Sequence, residues 1–376
     1  MRKNLFVRSI AAVSGIVMLA SLAACGDNTS SAGNNSGSTS TEKITGSFSG
    51  AGATSQQAAE EAWISAYMAA NSGANVTYNP TGSGAGVTTF LSGATAWAGS
   101  DKALSDDEVT QSSDKACANG TTAFDVPVYI SPIAIIFNLK GVSDAGKHIN
   151  LDADTAAKIF DGKIVKWNDP AIANQNKDLT LPDTQITVVH RSDKSGTTQN
   201  FVSYFKDQAP DSWTHELSEN WPDIPGQQSA KGTSGVVTAV KQADGTIGYA
   251  DFSQVGDLGT VAVKVGDKYS EISAEAGSKV IDDSELDADA KGDNRVVVKI
   301  NHATEADGAY PIVLVSYDIA CPAYKDASTA KFVKSWLTYV TSDAGQKAAA
   351  QAAGSAPLPS SLTSKIAKSI EAIKTE

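Results

Sequence analysis

The chain has 376 residues, of which 41% are hydrophobic and 19% are charged, and its formal net charge is -12 at pH 7. That length supports more than one hydrophobic core, so two lobes are expected. The acidic balance argues against nucleic-acid binding, which requires clustered Lys and Arg side chains.

The first 24 residues have the pattern of an export signal. Arg2, Lys3 and Arg8 flank or precede the apolar run "SIAAVSGIVMLASLAA" at residues 9–24, which is shorter than a membrane span usually requires. Its end, "LAAC" at residues 22–25, resembles the lipobox of bacterial lipoproteins. The resemblance implies that residues 1–24 are removed and that Cys25 carries a lipid such as palmitate. The alternative is an ordinary cleaved signal beside an incidental cysteine.

Residues 25–43 follow as a predicted tether. The stretch "GDNTSSAGNNSGSTSTE" at residues 26–42 is poor in apolar residues and rich in Ser, Gly and Asn, so it cannot form a core. No later segment is apolar enough to cross a membrane, so we expect an anchored protein and not an integral one. In an oxidising exported setting, Cys117 and Cys321 are expected to form a disulfide, although both could be free and buried.

From residue 43 onward, short apolar runs alternate with helical patterns. The predicted strands are residues 43–50, 74–80, 126–139 (interrupted by Pro132), 184–191, 246–252, 259–265, 295–300 and 310–320. The predicted helices are residues 55–71, 86–93, 152–162, 197–208, 234–245, 328–354 and 361–373. In the first of them, Ala62, Ile64, Ala66 and Met68 are expected near the apolar face. This alternation predicts an α/β protein with a largely parallel sheet in each lobe.

Three strand-to-helix turns are rich in Gly and hydroxyl residues: "SGAGATS" (49–55), "TGSGAG" (81–86) and "RSDKSGTT" (191–198). A helix N-terminus offers unpaired N–H groups and the positive end of the helix dipole, Gly permits close approach of an anion, and Ser or Thr adds a donor. Any one of these turns could be an ordinary N-cap or tight bend. Three of one kind, with a fixed cation at Arg191, favour an anion site.

Two carboxylates, Asp101 and Asp193, also lie in turns that follow predicted apolar segments. Negative charges are unexpected in a site for an anion, so each needs an explanation. They could simply cap the turns that follow them, or Asp193 could pair with Arg191. A functional role for Asp101 requires an anion that carries a proton, because a carboxylate accepts the O–H of protonated phosphate, whereas sulfate at neutral pH has none to donate.

The motifs "SGAGAT", "GSGAG", "WAGSD" and "RSDKSGT" occur in the order seen in the phosphate-binding proteins of bacterial phosphate-specific ABC importers. "IFDGKIVKWNDPAIA", "TIGYADF" and "GSAPLP" look like further landmarks of this family, and the resemblance extends from about Ile44 to about Pro359. It implies a ligand site built by several loops, with phosphate bound by Thr54, Ser55, Ser83, Asp101, Arg191, Ser195, Gly196 and Thr197.

The resemblance also implies individual roles. Ser55 would donate its backbone N–H, Asp101 would accept the proton of phosphate, and Arg191 would make a forked contact while Asp193 orients it. The family usually has an aromatic residue at the position of Ser55 and Gly at that of Lys194; we interpret Lys194 as pointing to water.

The fold implied by the resemblance is the two-lobe periplasmic-binding-protein type II fold with the ligand cleft between the lobes. Lobe 1 would comprise residues 44–128 and 303–376, and lobe 2 residues 129–302. The implied function is a monomeric, lipid-anchored, extracytoplasmic solute-binding protein that captures inorganic phosphate and delivers it to membrane permease subunits of an ABC importer. No catalysis, cofactor or metal is expected.

Other functional classes match parts of the sequence. "GVSDAGKH" (141–148) nearly spells a P-loop but has His148 where Ser or Thr would hold Mg²⁺. "SSDK" (112–115) and "KSG" (194–196) are partial matches to serine acyl-transfer motifs, without the intervening S-D-N. An exported phosphatase would also bind phosphate, but the four His form no metal-spaced pair. A phosphate-binding surface protein of the same fold is the remaining alternative.

Overall fold

The computed structural model describes residues 43–143 and 146–376. The predicted signal peptide, Cys25 and nearly all of the predicted tether lie outside the described residues, as does the middle of the P-loop-like run 141–148. Within the described part, no helix combines the length and the apolar character that crossing a membrane requires.

The chain alternates strands and helices from β1 onward. The strands are β1 Thr45–Gly52, β2 Gly73–Asn79, β3 Trp97–Ser100, β4 Phe124–Asn138, β5 Ile149–Leu151, β6 Thr187–Arg191, β7 Gln228–Ala230, β8 Thr246–Asp251, β9 Gly259–Val265, β10 Lys268–Ser270, β11 Glu285–Leu286, β12 Val298–Lys299 and β13 Val313–Ala320. The helices are α1 Gln57–Ala70, α2 Ser83–Leu91, α3 Asp106–Lys115, α4 Ala153–Phe160, α5 Pro170–Ala173, α6 Gly196–Gln208, α7 Gly232–Gln242, α8 Ala274–Asp282, α9 Ala327–Val340, α10 Asp343–Ala353 and α11 Ser360–Glu371.

The main path through the sheet runs β2-β1-β3-β13-β4-β8-β6-β7. The strands that precede the Gly-rich turns pair in parallel, β1 with β2 and β3, and β6 with β7 and β8. Between these two groups, β13 and β4 run antiparallel to their neighbours. The carboxyl ends of β1, β3 and β6, which carry the predicted site residues, are therefore available to one cleft.

β4 connects the two parallel groups and is continuous for 15 residues. It pairs with β13 as far as Pro132 and with β8 from Ile133 onward. The sequence predicted an interruption at Pro132, and this is wrong for the strand itself. Pro has no N–H to donate, and it is accommodated here because the strand changes its pairing partner at this residue.

The buried face of α1 differs from the predicted one. Of the residues expected near the apolar face, Ile64 and Met68 are partly buried against the core, whereas Ala66 is exposed. The fully buried side chains are instead Ala59, Glu60, Trp63 and Tyr67. The larger rings determine the orientation of the helix, because Tyr67 packs edge-on against Phe332 and Trp336 of α9. Two further predictions need correction: residues 328–354 form two helices, and residues 295–300 form only the two-residue strand β12.

Cys117 and Cys321 are joined by a disulfide with an S–S distance of 2.06 Å and a Cα–Cα distance of 5.3 Å. Both residues are buried in a small apolar cluster that includes Phe90, Leu104 and Val109. The bond connects the segment after α3 to the end of β13, two parts of the chain separated by 204 positions.

Candidate functional site

Asp101 is the centre of the site. It follows β3, is 2% exposed, and accepts hydrogen bonds from three hydroxyl groups. Ser55 Oγ donates to Oδ1 at 2.6 Å and to Oδ2 at 2.7 Å, Thr197 Oγ1 donates to Oδ2 at 2.7 Å, and Ser316 Oγ donates to Oδ1 at 2.6 Å. Asp101 therefore connects the turn before α1, the start of α6 and the strand β13.

The turn before α2 contacts the backbone of Asp101. The N–H of Asp101 donates to Ser83 Oγ at 3.3 Å, and Ser83 is the first residue of α2. This turn also packs against the Arg191 turn: a Cβ on Gly82 would lie 2.4 Å from Asp193 Oδ2, and one on Gly84 would lie 2.5 Å from Lys194 Cβ. Only Gly permits this approach, so the two turns are in direct contact.

Arg191 and Asp193 form a buried, forked ion pair. Arg191 Nε donates to Asp193 Oδ1 at 2.8 Å and Nη2 donates to Oδ2 at 2.6 Å, and Arg191 is 3% exposed. The N–H of Gly232 donates to Asp193 Oδ1 at 3.0 Å. Burial alone would raise the pKa of Asp193, but the bonds and charge of Arg191 and the Gly232 N–H hold that pKa below its ordinary value. Asp193 thus fixes one edge of the guanidinium and leaves its other N–H groups for a ligand.

Ser195 and Gly196 begin α6 beside the carboxylate. Ser195 is the N-cap, and its Oγ accepts from the N–H of Thr198 at 3.2 Å, so its own hydroxyl hydrogen remains available to donate. The N–H of Ser195 donates to the carbonyl oxygen of Glu219 at 3.0 Å. A Cβ on Gly196 would lie 2.9 Å from backbone and side-chain atoms of Asp101. The N-terminus of α6 therefore packs directly against Asp101.

Thr54 contacts the far side of the cleft through its side chain. Its Oγ1 lies 2.9 Å from Thr233 Oγ1 and accepts from the N–H of Thr233 at 3.0 Å, and Gln254 Nε2 donates to its carbonyl oxygen at 2.9 Å. The structure thus brings together all eight residues predicted to bind the ligand, with Asp193 beside Arg191. These eight residues are buried, and they include one cationic side chain, Arg191, and one carboxylate, Asp101.

The comparisons with known proteins agree with this architecture. Residues 37–344 match a family model described as "PBP superfamily domain". The phosphate-binding protein PstS2 of Mycobacterium bovis is 36% identical over 381 residues, covering 98% of this chain and 99% of the relative. The chain belongs to the PstS family of phosphate-binding proteins.

Two further comparisons support that assignment and the fold. The phosphate-binding protein PstS3 of Mycobacterium bovis is 33% identical, covering 94% of this PstS-family chain and 95% of the relative. The structure of a high-affinity periplasmic phosphate-binding protein, PfluDING, bound with phosphate, has a TM-score of 0.68 at 23% identity and covers 86% of this chain and 93% of that one. This confirms the predicted α/β, two-lobe fold class, and these relatives are named as phosphate-binding proteins.

Several residues that contact the candidate site were not predicted from the sequence. Thr233 and Gly232 begin α7 in "KGTSG", which has the same Gly-hydroxyl composition as the other turns and could have been found by it. Ser316 is the one Ser or Thr residue in the buried strand β13, which is a weaker signal. Asn200 Nδ2 donates to the carbonyl oxygens of Asp101 and Gly196 at 2.6 and 2.9 Å, and nothing in the sequence indicated this.

Lys194, which departs from the usual family residue, extends toward solvent. Its side chain is 58% exposed, and its Nζ lies 4.0 Å from Glu219 Oε2, while Lys102 Nζ lies 3.9 Å from the same oxygen. The exposure agrees with the interpretation that Lys194 points to water. Its carbonyl oxygen still accepts from the N–H of Gly84 at 3.3 Å, so its backbone helps to hold the two turns together.

Three further carboxyl groups, those of Asp251, Asp318 and Glu60, are fully buried. Burial raises the pKa of Asp251, at the end of β8, to about 7; it accepts from Tyr129 Oη at 3.1 Å and from the Ser253 N–H at 2.9 Å. Burial also raises the pKa of Asp318 to about 7 and that of Glu60 well above its ordinary value, with the Asp318 charge adding to the effect on Glu60. Burial therefore favours the protonated form of all three carboxyl groups.

Among residues 43–143 and 146–376, no group of three or more His, Cys, Asp or Glu side chains is arranged to hold a metal ion.

Proposed function

We propose that this protein captures inorganic phosphate outside the cytoplasm and delivers it to the membrane permease subunits of an ABC importer. The observation that carries the proposal is the buried carboxylate of Asp101 in a site made otherwise of donors and one arginine. A site of this composition favours an anion that also carries a hydrogen, and the protonated forms of phosphate meet that requirement at neutral pH. The PstS relatives, which are named as phosphate-binding proteins, support the same ligand.

In this proposal the ligand oxygens take donors from both lobes. Arg191 supplies charge and a fork, the α6 amides at Gly196 and Thr197 supply N–H groups, and the Thr54 and Ser83 turns supply hydroxyl and amide donors. Asp101 accepts the P–O–H hydrogen. Sulfate would offer the same oxygens without that hydrogen, so its negative charge would face the Asp101 carboxylate in a water-excluded site.

We also propose boundaries for the two lobes. We infer lobe 1 at residues 44–128 and 303–376 and lobe 2 at residues 129–302, with closure about the connecting strands. The change of pairing partner in β4 at Pro132 and Ile133 supports a hinge close to the first boundary. The hydrogen bonds from Thr197 to Asp101 and from Thr233 to Thr54 would then join the two lobes when the cleft is closed.

The proposal includes a lipid anchor at Cys25 and a monomeric state. The basic start, the apolar run and the "LAAC" ending support export and lipidation, and the Ser/Gly-rich stretch at residues 26–42 would let the globular part reach the permease.

Isothermal titration at neutral pH tests the ligand. We expect tight one-site binding of phosphate and feeble binding of sulfate by the wild-type protein. Arg191→Ala and Asp101→Asn should each weaken phosphate binding by roughly a hundredfold or more, since each removes a charge-assisted bond to the ligand.

Arg295→Ala is a matched control, because Arg295 forms an equally buried 2.6 Å ion pair with Asp125 that lies outside the proposed ligand set. We expect this change to lower stability and leave phosphate affinity intact. Equal affinities of the wild-type protein for phosphate and sulfate would contradict the role of Asp101. Turnover of a generic phosphate ester that is lost with Arg191→Ala would favour the exported phosphatase.

A further inference from the structure

The hydroxyl of Ser55 has an unusual position among the groups that contact Asp101. It is fully buried and lies within hydrogen-bond distance of both carboxylate oxygens, at 2.6 and 2.7 Å. A single hydroxyl has one hydrogen to donate, so this hydrogen is shared between two acceptors and each of its bonds is weaker than a linear one. Thr197 and Ser316 each donate to one oxygen only.

The carboxylate of Asp101 has little capacity left for another donor. Oδ1 accepts from Ser55 and Ser316, and Oδ2 accepts from Ser55 and Thr197. A carboxylate offers about four lone-pair sites. Three hydroxyl hydrogens cover these sites only because the Ser55 hydrogen is shared between two of them, so a hydrogen carried by a ligand bonds to Asp101 most readily where Ser55 gives up its contact.

Ser55 is the donor that can turn away at the lowest cost. Ser316 is held from a second side, because its Oγ accepts from Gln56 Nε2 at 2.7 Å, and it is part of the central strand β13. Thr197 is in the first turn of α6. Ser55 lies in the turn before α1, and its shared hydrogen can rotate from the carboxylate to a neighbouring acceptor, such as an oxygen of the bound anion.

We propose that the Ser55 hydroxyl is a specificity-determining group that takes the place of the ligand's hydrogen on Asp101. This rests on the proposed function of the site. Phosphate displaces the Ser55 hydroxyl with its own O–H, and Ser55 then donates to a phosphate oxygen. With sulfate the Ser55 hydroxyl stays on Asp101, so the buried carboxylate keeps its full set of donors.

Ser55 thereby weakens the discrimination between the two anions. Sites that recognise a hydrogen reject analogues without it because a buried polar group is left unpaired. The Ser55 hydroxyl removes part of that penalty, and deleting it should make the site more selective for phosphate.

The experiment is titration of wild type, Ser55→Ala and Ser55→Thr with phosphate and with sulfate at neutral pH, after circular dichroism has shown that each variant is folded. Ser55→Ala should raise the ratio of phosphate to sulfate affinity about tenfold or more, mainly through weaker sulfate binding. Ser55→Thr keeps the hydroxyl and should keep the wild-type ratio. Ser55→Gly replaces Ser55→Ala if the latter does not fold.

Ser316→Ala is the matched control, since it also removes one hydroxyl from Asp101 but from the side of the carboxylate held by Gln56. We expect it to change the ratio of phosphate to sulfate affinity much less than Ser55→Ala does, because the Ser55 hydroxyl still donates to both carboxylate oxygens when sulfate is bound. A ratio that is unchanged or lowered in Ser55→Ala, or raised equally in Ser316→Ala, overturns this assignment while phosphate binding by the wild type still supports the proposed function. A wild-type protein that binds neither anion would instead refute the proposed function itself.

Discussion

At the residue scale, some contacts of the predicted site residues can be expected from the sequence and others cannot. Arg191 and Asp193 are two positions apart at the end of an apolar run, so their pairing could be expected from proximity alone. Asp101 differs, because its hydroxyl donors Ser55, Thr197 and Ser316 are distant in the chain. Nothing in the local sequence around Asp101 names those partners.

Asp251 gives a prediction about stability and pH. Its pKa is raised from 3.8 to about 7, chiefly by burial, so the folded state holds a proton that the unfolded chain releases between these values. The folded state binds more protons in this window, and the free energy of unfolding therefore decreases as pH rises from about 4 to about 7. Asp318 contributes in the same direction.

We therefore expect Asp251→Asn to reduce the loss of stability between pH 5 and pH 8, by an amount on the order of 1–3 kcal/mol. Urea unfolding at the two pH values measures this. Asp257→Asn, at an exposed position, is the control and should leave the difference as in wild type. An Asp251→Asn protein with the wild-type difference would show that Asp251 is ionised in the folded state at pH 5.

At the element scale, the position of α2 depends on close packing against β1. A Cβ on Gly86 would lie 2.3 Å from the Cα of Gly52 and 2.6 Å from the carbonyl oxygen of Ala51. Both are backbone atoms, so the helix itself would have to move. Since α2 begins at Ser83, whose Oγ accepts from the Asp101 N–H, that movement would reach the site.

Gly86→Ala should consequently lower the free energy of unfolding by roughly 1–3 kcal/mol and weaken phosphate binding. Gly235→Ala in α7 is the matched control, because its Cβ would meet Ala230 Cβ at an ordinary 3.5 Å. This change should leave stability unchanged or increase it by up to about 1 kcal/mol. Thermal unfolding measures the stability of both variants, and isothermal titration measures their phosphate affinity. If Gly86→Ala changed neither quantity more than Gly235→Ala does, α2 could shift without affecting stability or the site.

At the scale of the whole molecule, the two ends of the folded chain are tied together. β13 lies between β3 and β4, so a late strand completes a sheet that the early strands begin. The disulfide from Cys117 to Cys321 closes a loop of 204 positions across the same part of the molecule. Cross-linking so long a loop restricts the unfolded chain strongly.

Replacing both cysteines by alanine should lower the free energy of unfolding by about 2–4 kcal/mol. Neither cysteine contacts Asp101 or Arg191 through a described hydrogen bond, so phosphate affinity should be nearly unchanged. Urea unfolding and titration test this, and thiol labelling of the unreduced, denatured wild-type protein should find the two cysteines unreactive. Unchanged stability in the double variant would mean that the bond contributes little beyond its own packing.

The α/β class, most strands and helices and the three Gly- and hydroxyl-rich turns of the candidate site were predicted from the sequence, because periodicity, Gly-rich turns and N-caps are local properties of the chain. The buried face of α1, the continuity of β4 through Pro132 and the donors Ser316, Asn200 and Thr233 were decided by the tertiary structure. Each depends on which distant residues lie together in space: two aromatic rings of α9 for the face of α1, a change of strand partner for β4, and three donors that reach the Asp101 carboxylate, the Asp101 carbonyl oxygen and Thr54 Oγ1 from distant segments. Hydrogen bonds and packing act over a few ångströms in space, whatever the separation along the chain, and only the folded molecule specifies that proximity.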